Sequence, residues 1–208
     1  MPLSCDHLFT MKRLLTLAVF SLALAACVDT TGLTPDLTNS VHPSSNANAA
    51  VVVVEYADLQ CPACKDAHVK IVQPLLQQYG SQIRYEYHHM PLASIHPYAV
   101  EAAEAAECAA DQGKFWEFID HNFEHQEELS TSAITEWGKA LGLDEDLFMR
   151  CRKSHIKRDA IQASYDAGRA LGVSGTPTFF VNGTLVESSL DALGAAIRQA
   201  QDQAQMML

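Results

Sequence analysis

Several things are missing from this chain, and each absence removes a class of function. Positive charge is scarce: 14 Lys and Arg stand against 25 Asp and Glu, a formal net charge of -11. A surface for nucleic acid or anionic lipid needs a basic face, so no nucleic-acid partner is expected. No apolar run is long enough to cross a bilayer, which takes about 20 residues; the best candidate runs only from Leu14 to Ala26. Cysteine is limited to six residues. One pair, Cys61 and Cys64, has C-x-x-C spacing, and no second pair or paired histidine follows at the spacing of a zinc site. His88, His89, His96, His121 and His125 are not accompanied by an H-E-x-x-H motif, so no metal is expected. No internal repeat is visible. The 208 residues, 48% hydrophobic, suffice for one globular core, with room for a subdomain.

What is present centres on Glu55-Tyr56-Ala57-Asp58-Leu59-Gln60-Cys61-Pro62-Ala63-Cys64. The valines 51 to 54 before it predict a strand buried on both faces of its sheet, and the residues after it an amphipathic helix. Pro62 fits the first helical position, where a missing N–H costs nothing. Cys61 would then sit where backbone amides stabilise a thiolate, with nearby Lys65 the one cation able to assist. Two thiols one turn apart can close a disulfide ring: Cys61 attacks a partner and Cys64 resolves the mixed disulfide. Half of a zinc site or a short structural disulfide would use the same spacing, but strand, turn and helix around it favour redox chemistry.

The stretch resembles the active site of thioredoxin-fold thiol:disulfide oxidoreductases, and Cys-Pro-x-Cys places it near the DsbA-like branch. A second match lies far downstream, where residues 173–183, Val-Ser-Gly-Thr-Pro-Thr-Phe-Phe-Val-Asn-Gly, resemble that family's cis-proline loop and following hairpin. The resemblance covers residues 49–204. It implies an α/β thioredoxin fold with an inserted α-helical subdomain, and no cofactor. It also implies a buried acid at Glu55, beneath Cys64, able to accept that thiol's proton; the residues alone allow a strand-end glutamate facing solvent. Asp58, in the turn, is expected to be exposed. For Thr176 and Pro177 the resemblance implies a proline against the disulfide and a preceding residue offering its backbone to a substrate strand. Read by itself, Thr176-Pro177 is a kink before a strand, cis or trans.

The N-terminus has a different character. Lys12-Arg13 and the apolar run to Ala26 have the shape of a secretory signal, and Met11 is a better start than Met1. Leu24-Ala25-Ala26-Cys27 resembles the bacterial lipoprotein cleavage box, which implies a signal over residues 1–26 and acyl chains on Cys27. An ordinary signal with an incidental cysteine is the alternative. Residues 27–48 lack an apolar period and read as a flexible tether.

Further along, Pro62–Tyr79 is a helix that Pro74 would kink, and Ile83–Tyr87 a strand. Four helical segments follow, Pro97–Asp111, Lys114–His125, Ser132–Leu141 and Glu145 to about Leu171, the last bent near His155, with Gly113, Gly142 and Gly172 punctuating them. They make the insertion of about residues 95–172. Thr178–Val181 and Thr184–Glu187 form a hairpin across Asn182-Gly183, and a helix from Ser189 to about Ala204 closes the domain. Cys108 and Cys151, outside any motif, are expected to bridge, although four exported cysteines allow three pairings and two free thiols are the alternative.

These residues predict an exported enzyme, on the periplasmic or cell-envelope face and lipid-anchored through Cys27. It would form or rearrange disulfides in cysteine-containing exported proteins, with a membrane thiol oxidase or reductase as redox partner. A reductase or isomerase kept reduced by an electron donor, and a copper(I)-binding lipoprotein using Cys61 and Cys64, are the other readings.

Overall fold

The computed structural model describes residues 29–31, 33 and 42–206. The expected signal, the Met11 start and Cys27 lie outside them. Among these residues, five strands form one sheet in the order β1-β3-β2-β4-β5. β2 (Val51–Ala57) and β3 (Ile83–His89) pair in parallel, as they must when a helical crossover joins them. β1 (His42–Ser45) pairs antiparallel with β3, and β4 (Thr178–Val181) antiparallel with β2. The hairpin from β4 to β5 (Thr184–Val186) turns at Asn182 and Gly183, both with positive φ, 46° and 79°, as a type I′ turn requires.

The crossover is α1 (Pro62–Ala67), a π-helical stretch over His68–Val72, and α2 (Gln73–Tyr79). The bend expected at Pro74 takes this form: the N–H of Gln73 reaches back five residues to the carbonyl of His68. Between β3 and β4 lie α3 (Ala99–Ala110), α4 (Phe115–Glu124), α5 (Thr131–Ala140), α6 (Glu145–Ser154) and α7 (Arg158–Ala170). α8 (Leu190–Met206) follows the hairpin. Among the described residues, no helix is long and apolar enough to cross a membrane.

Across the three central strands, one face of the sheet is buried. Val51, Val53, Tyr85, Tyr87, Phe179 and Val181 share a core with Leu75, Leu193 and Ile197 and with Phe118, Ile119 and Phe148 of the insertion. The other face is covered less completely, which revises the expectation of a strand buried on both sides: Val52 and Val54 are only half-buried. Tyr56, Met90 and Phe180 are covered there by α7, which approaches so closely that a Cβ on Gly168 would lie 2.9 Å from the Tyr56 ring. Cys108 of α3 and Cys151 of α6 are joined by a disulfide.

Two expectations about the tether need correction. His42–Ser45 forms an edge strand, so ordered structure begins before residue 49. Its His42 is hydrogen-bonded to the buried Glu107 of α3 at 2.9 Å, and His89 of β3 to the same carboxylate at 3.0 Å. Burial alone would raise the pKa of Glu107, but these two imidazoles outweigh it and hold the group at about 2. Upstream, Leu33 is buried against the domain, and Arg150 of α6 donates to the carbonyls of Asp29 and Thr31. This part of residues 27–48 is therefore held against the insertion.

Candidate active site

The redox turn leaves β2 at Ala57 and enters α1 at Pro62. Cys61 is the N-cap residue, extended at φ -75° and ψ 121°, with Pro62 in the first turn. Both thiols are free. Cys61 is 7% exposed and Cys64 wholly buried, so a partner can reach the first sulfur alone. The Cys61 thiol lies 3.5 Å from the carbonyl oxygen of Thr176, to which its S–H donates, and the Thr176–Pro177 peptide is cis. The redox turn and the proline loop, 115 residues apart in the chain, thus meet at one sulfur.

The two thiols are driven in opposite directions. A hydrogen bond from Cys64 is the largest influence on Cys61. Burial opposes it, but the side chain of Thr176 and the backbone amides of Cys64 and Ala63 add to it, and the pKa falls to about 5. Burial pushes Cys64 well above the ordinary thiol range, and the thiol of Cys61 and the charge of Glu55 push it further. Lys65 was expected to be the one cation able to assist Cys61. Its ammonium instead pairs with Glu127 at 2.6 Å.

Glu55 is buried, as the family resemblance implies and against a solvent-facing reading. Burial raises its pKa to about 7, although a hydrogen bond donated by the Tyr85 hydroxyl and the proximity of His68 pull the other way. Its second oxygen, Oε1, has no partner among the described residues. A carboxyl that titrates near neutrality beside a high-pKa thiol can exchange a proton with it.

Asp58 corrects the expectation of exposure. It is buried, and its carboxylate accepts from the N–H of Gln60 at 2.7 Å, the N–H of Leu92 at 2.8 Å and His96 Nδ1 at 2.7 Å. Its own N–H donates to Cys64 Sγ at 3.4 Å. The insertion holds the same turn from the other side. Asn122 of α4 donates to the carbonyl of Leu59 at 2.7 Å, and Gln126 donates to the carbonyls of Leu59 and Cys61 at 2.9 and 3.1 Å. Sequence reasoning missed Tyr85, His96, Asn122 and Gln126. For Tyr85 the alternation of β3 gave a usable hint; the other three carry no local signal. Beside the thiols an open depression of about 620 Å³ is lined by Gln60, Pro62, Ala63, Lys65, Gln126 and Glu127.

A low-pKa thiolate at a helix start, a buried partner and a buried acid, on a sheet interrupted by a helical insertion, define the DsbA-like class of thiol:disulfide oxidoreductases. The chain belongs to the thioredoxin family, whose model matches residues 42–199. Among solved structures it is similar to a thioredoxin-like oxidoreductase from Silicibacter pomeroyi DSS-3, 26% identical, TM-score 0.67, covering 78% of this chain and 92% of that one. It is also similar to the thiol-disulfide exchange protein alpha-DsbA2 from Wolbachia pipientis, 25% identical, TM-score 0.65, covering 76% and 86%. BdbD from Bacillus subtilis, at 19% identity and TM-score 0.66, covers 83% and 94% and shares the fold. Among curated proteins, the Na(+)/H(+) antiporter NhaA 3 of Salinispora tropica is 43% identical over 161 residues, 76% of this chain and 24% of that protein. The chain therefore spans about a quarter of the length of the curated relatives it matches.

Proposed function

We propose that the protein is an exported enzyme that forms or rearranges disulfides in cysteine-containing exported proteins. The observation that carries this is the division of labour between Cys61, whose pKa falls to about 5, and Cys64, which is wholly buried and pushed up. In the oxidised enzyme a substrate thiolate attacks Cys61 Sγ. The Cys61–Cys64 bond breaks, and the sulfur of Cys64 leaves with its electron pair and takes a proton from Glu55. A second substrate thiolate then attacks the substrate sulfur of the mixed disulfide. The substrate leaves oxidised by two electrons, and Cys61 leaves as a thiolate. Its low pKa makes it a good leaving group, which favours this direction. In reverse, Cys64 attacks and Glu55 accepts its proton. Thr176 and Pro177 would lie against the substrate strand.

A membrane thiol oxidase would restore the disulfide, and acyl chains on Cys27 would keep the enzyme at the periplasmic or cell-envelope face. A copper(I) carrier would need both sulfurs as thiolates at once, which the burial of Cys64 opposes. Equilibration with glutathione buffers tests the direction. The reduction potential is expected to lie between about -270 mV, the thioredoxin value, and about -120 mV, that of the strongest oxidants. A value as low as thioredoxin's would replace the oxidase by a reductase or isomerase kept reduced by an electron donor.

A further inference from the structure

At the end of α4, His121, Glu124 and His125 bring one ligand atom each to within 4.8 Å of one another. We propose that they form a site for a divalent zinc-type cation, separate from the thiols. The order His121-Asn122-Phe123-Glu124-His125 is H-x-x-E-H, the reverse of the motif sought in the sequence, and it too occurs on zinc-binding helices. The spacing does the positioning. Residues four apart lie on one helix face, and here the two imidazole rings are 4.4 Å apart. Asn122 and Phe123, between them, point inward, where Asn122 holds the redox turn and Phe123 is in the core. The helix face that carries the histidines is therefore fixed.

The dimensions suit a tetrahedral ion. Ligand atoms about 2.0–2.1 Å from zinc stand about 3.3 Å from one another, and Nε2 of His125 is already 4.0 Å from Oε2 of Glu124. Glu124 is 74% exposed, so a rotamer change closes the gap without disturbing the fold. Nδ1 of His125 faces Oε1 of Glu128 at 3.8 Å. That is the outer carboxylate that metal-bound histidines commonly use to fix their ring and tautomer. The position at the C-terminal end of α4 also favours a cation, because the last carbonyls of a helix carry partial negative charge. Glu136, which lines the same shallow depression of about 450 Å³, is already paired with Lys139 at 3.0 Å and supplies no further ligand. Three protein ligands leave a fourth position for water, an open arrangement rather than a closed structural one. Copper(II) would bind the same donors more tightly.

The test uses the full chain with both disulfides closed and the thiols of Cys5 and Cys27 alkylated, so that no cysteine can take the metal, and titrates zinc chloride by calorimetry. One saturable site is expected. His121→Gln and His125→Gln should each weaken it by more than the roughly 10–100-fold typical of losing an outer partner, and Glu128→Gln by about that amount. Copper(II) supplies a second readout. Its electron paramagnetic resonance should show coupling to two nitrogens, falling to one in either His→Gln variant, and it should quench Trp137, whose ring is 5.6 Å from His121. No saturable binding up to millimolar zinc would overturn the proposal. So would zinc affinity in the double His→Gln variant equal to that of the parent chain. Because Cys61 and Cys64 are oxidised throughout, neither result bears on the proposed exchange chemistry.

Discussion

The backbone N–H of Asp58 points at the Sγ of Cys64, 3.4 Å away, while the Asp58 carboxylate is tied to Leu92 and His96 in the segment after β3. Cys64 is thus positioned by a residue that a distant loop holds in place. Asp58→Asn replaces one acceptor oxygen with a donor facing N–H groups. Leaving a buried hydrogen-bonding group unmet costs about 1–3 kcal/mol. Urea denaturation should show that loss, whereas a destabilisation below about 0.5 kcal/mol would mean that the turn does not depend on this carboxylate.

Cys61 should carry nearly all the thiol reactivity of the reduced redox pair. Iodoacetamide labelling followed across pH is expected to reach half its maximal rate near pH 5, with Cys64 unmodified at neutral pH. Because the folded thiol titrates below its ordinary value, the thiolate's contribution to the stability of the reduced form is complete above about pH 9 and disappears as pH falls through about 5. Preferential labelling of Cys64 would exchange the two roles.

Glu55 acts in the opposite sense. Its folded pKa is raised from 4.5 to about 7, so its contribution is fully present below the unfolded value and is lost as pH rises through the folded one. At about 1.4 kcal/mol per pKa unit, Glu55→Gln should gain about 3 kcal/mol relative to the parent between acidic and mildly alkaline pH. The same variant should slow the attack by Cys64 on a mixed disulfide by about a hundredfold, seen as accumulation of the trapped adduct. A stability difference independent of pH would place the raised pKa elsewhere.

The Cys108–Cys151 bridge closes a loop of 43 residues, for which loop-closure entropy gives about 4 kcal/mol. Replacing both cysteines with alanine should lower stability by that order and leave the reactivity of Cys61 intact. Calorimetric unfolding of the disulfide-bonded protein decides, and an unchanged midpoint would show that packing of α3 against α6 suffices alone.

The parts of the fold legible in the sequence are those written locally. The valines of β2, Pro62 at the start of α1, Asn182-Gly183 in the hairpin, and the glycines punctuating the insertion each act on their neighbours. What escaped notice is held across long separations. His42–Ser45 has no strand pattern and is ordered by pairing with β3 and by the bond from His42 to Glu107, 65 residues away. Asp58 is buried because residues 34 and 38 positions later bind it, and Gln126 reaches the carbonyl of Cys61 across 65 residues. Lys65 is drawn away from Cys61 by Glu127, 62 residues downstream. The i, i+4 spacing of His121 and His125 is legible in the sequence, but the acid between them stands at the opposite end from its place in H-E-x-x-H.

The π-helical stretch between Cys64 and Pro74 bears on how this chain tolerates changes in length. A π turn accommodates one extra residue within an α-helix while the flanking turns keep their phase. Pro74 cannot donate a hydrogen bond, and in a regular helix its ring would press on the carbonyl four residues earlier, that of Lys70. The widened turn lies where that conflict would fall. Deletion of one residue from His68–Val72 should therefore be tolerated only when Pro74 is replaced in the same step. Homologues one residue shorter here should lack the proline, a covariation of length with residue type that substitution statistics alone would overlook.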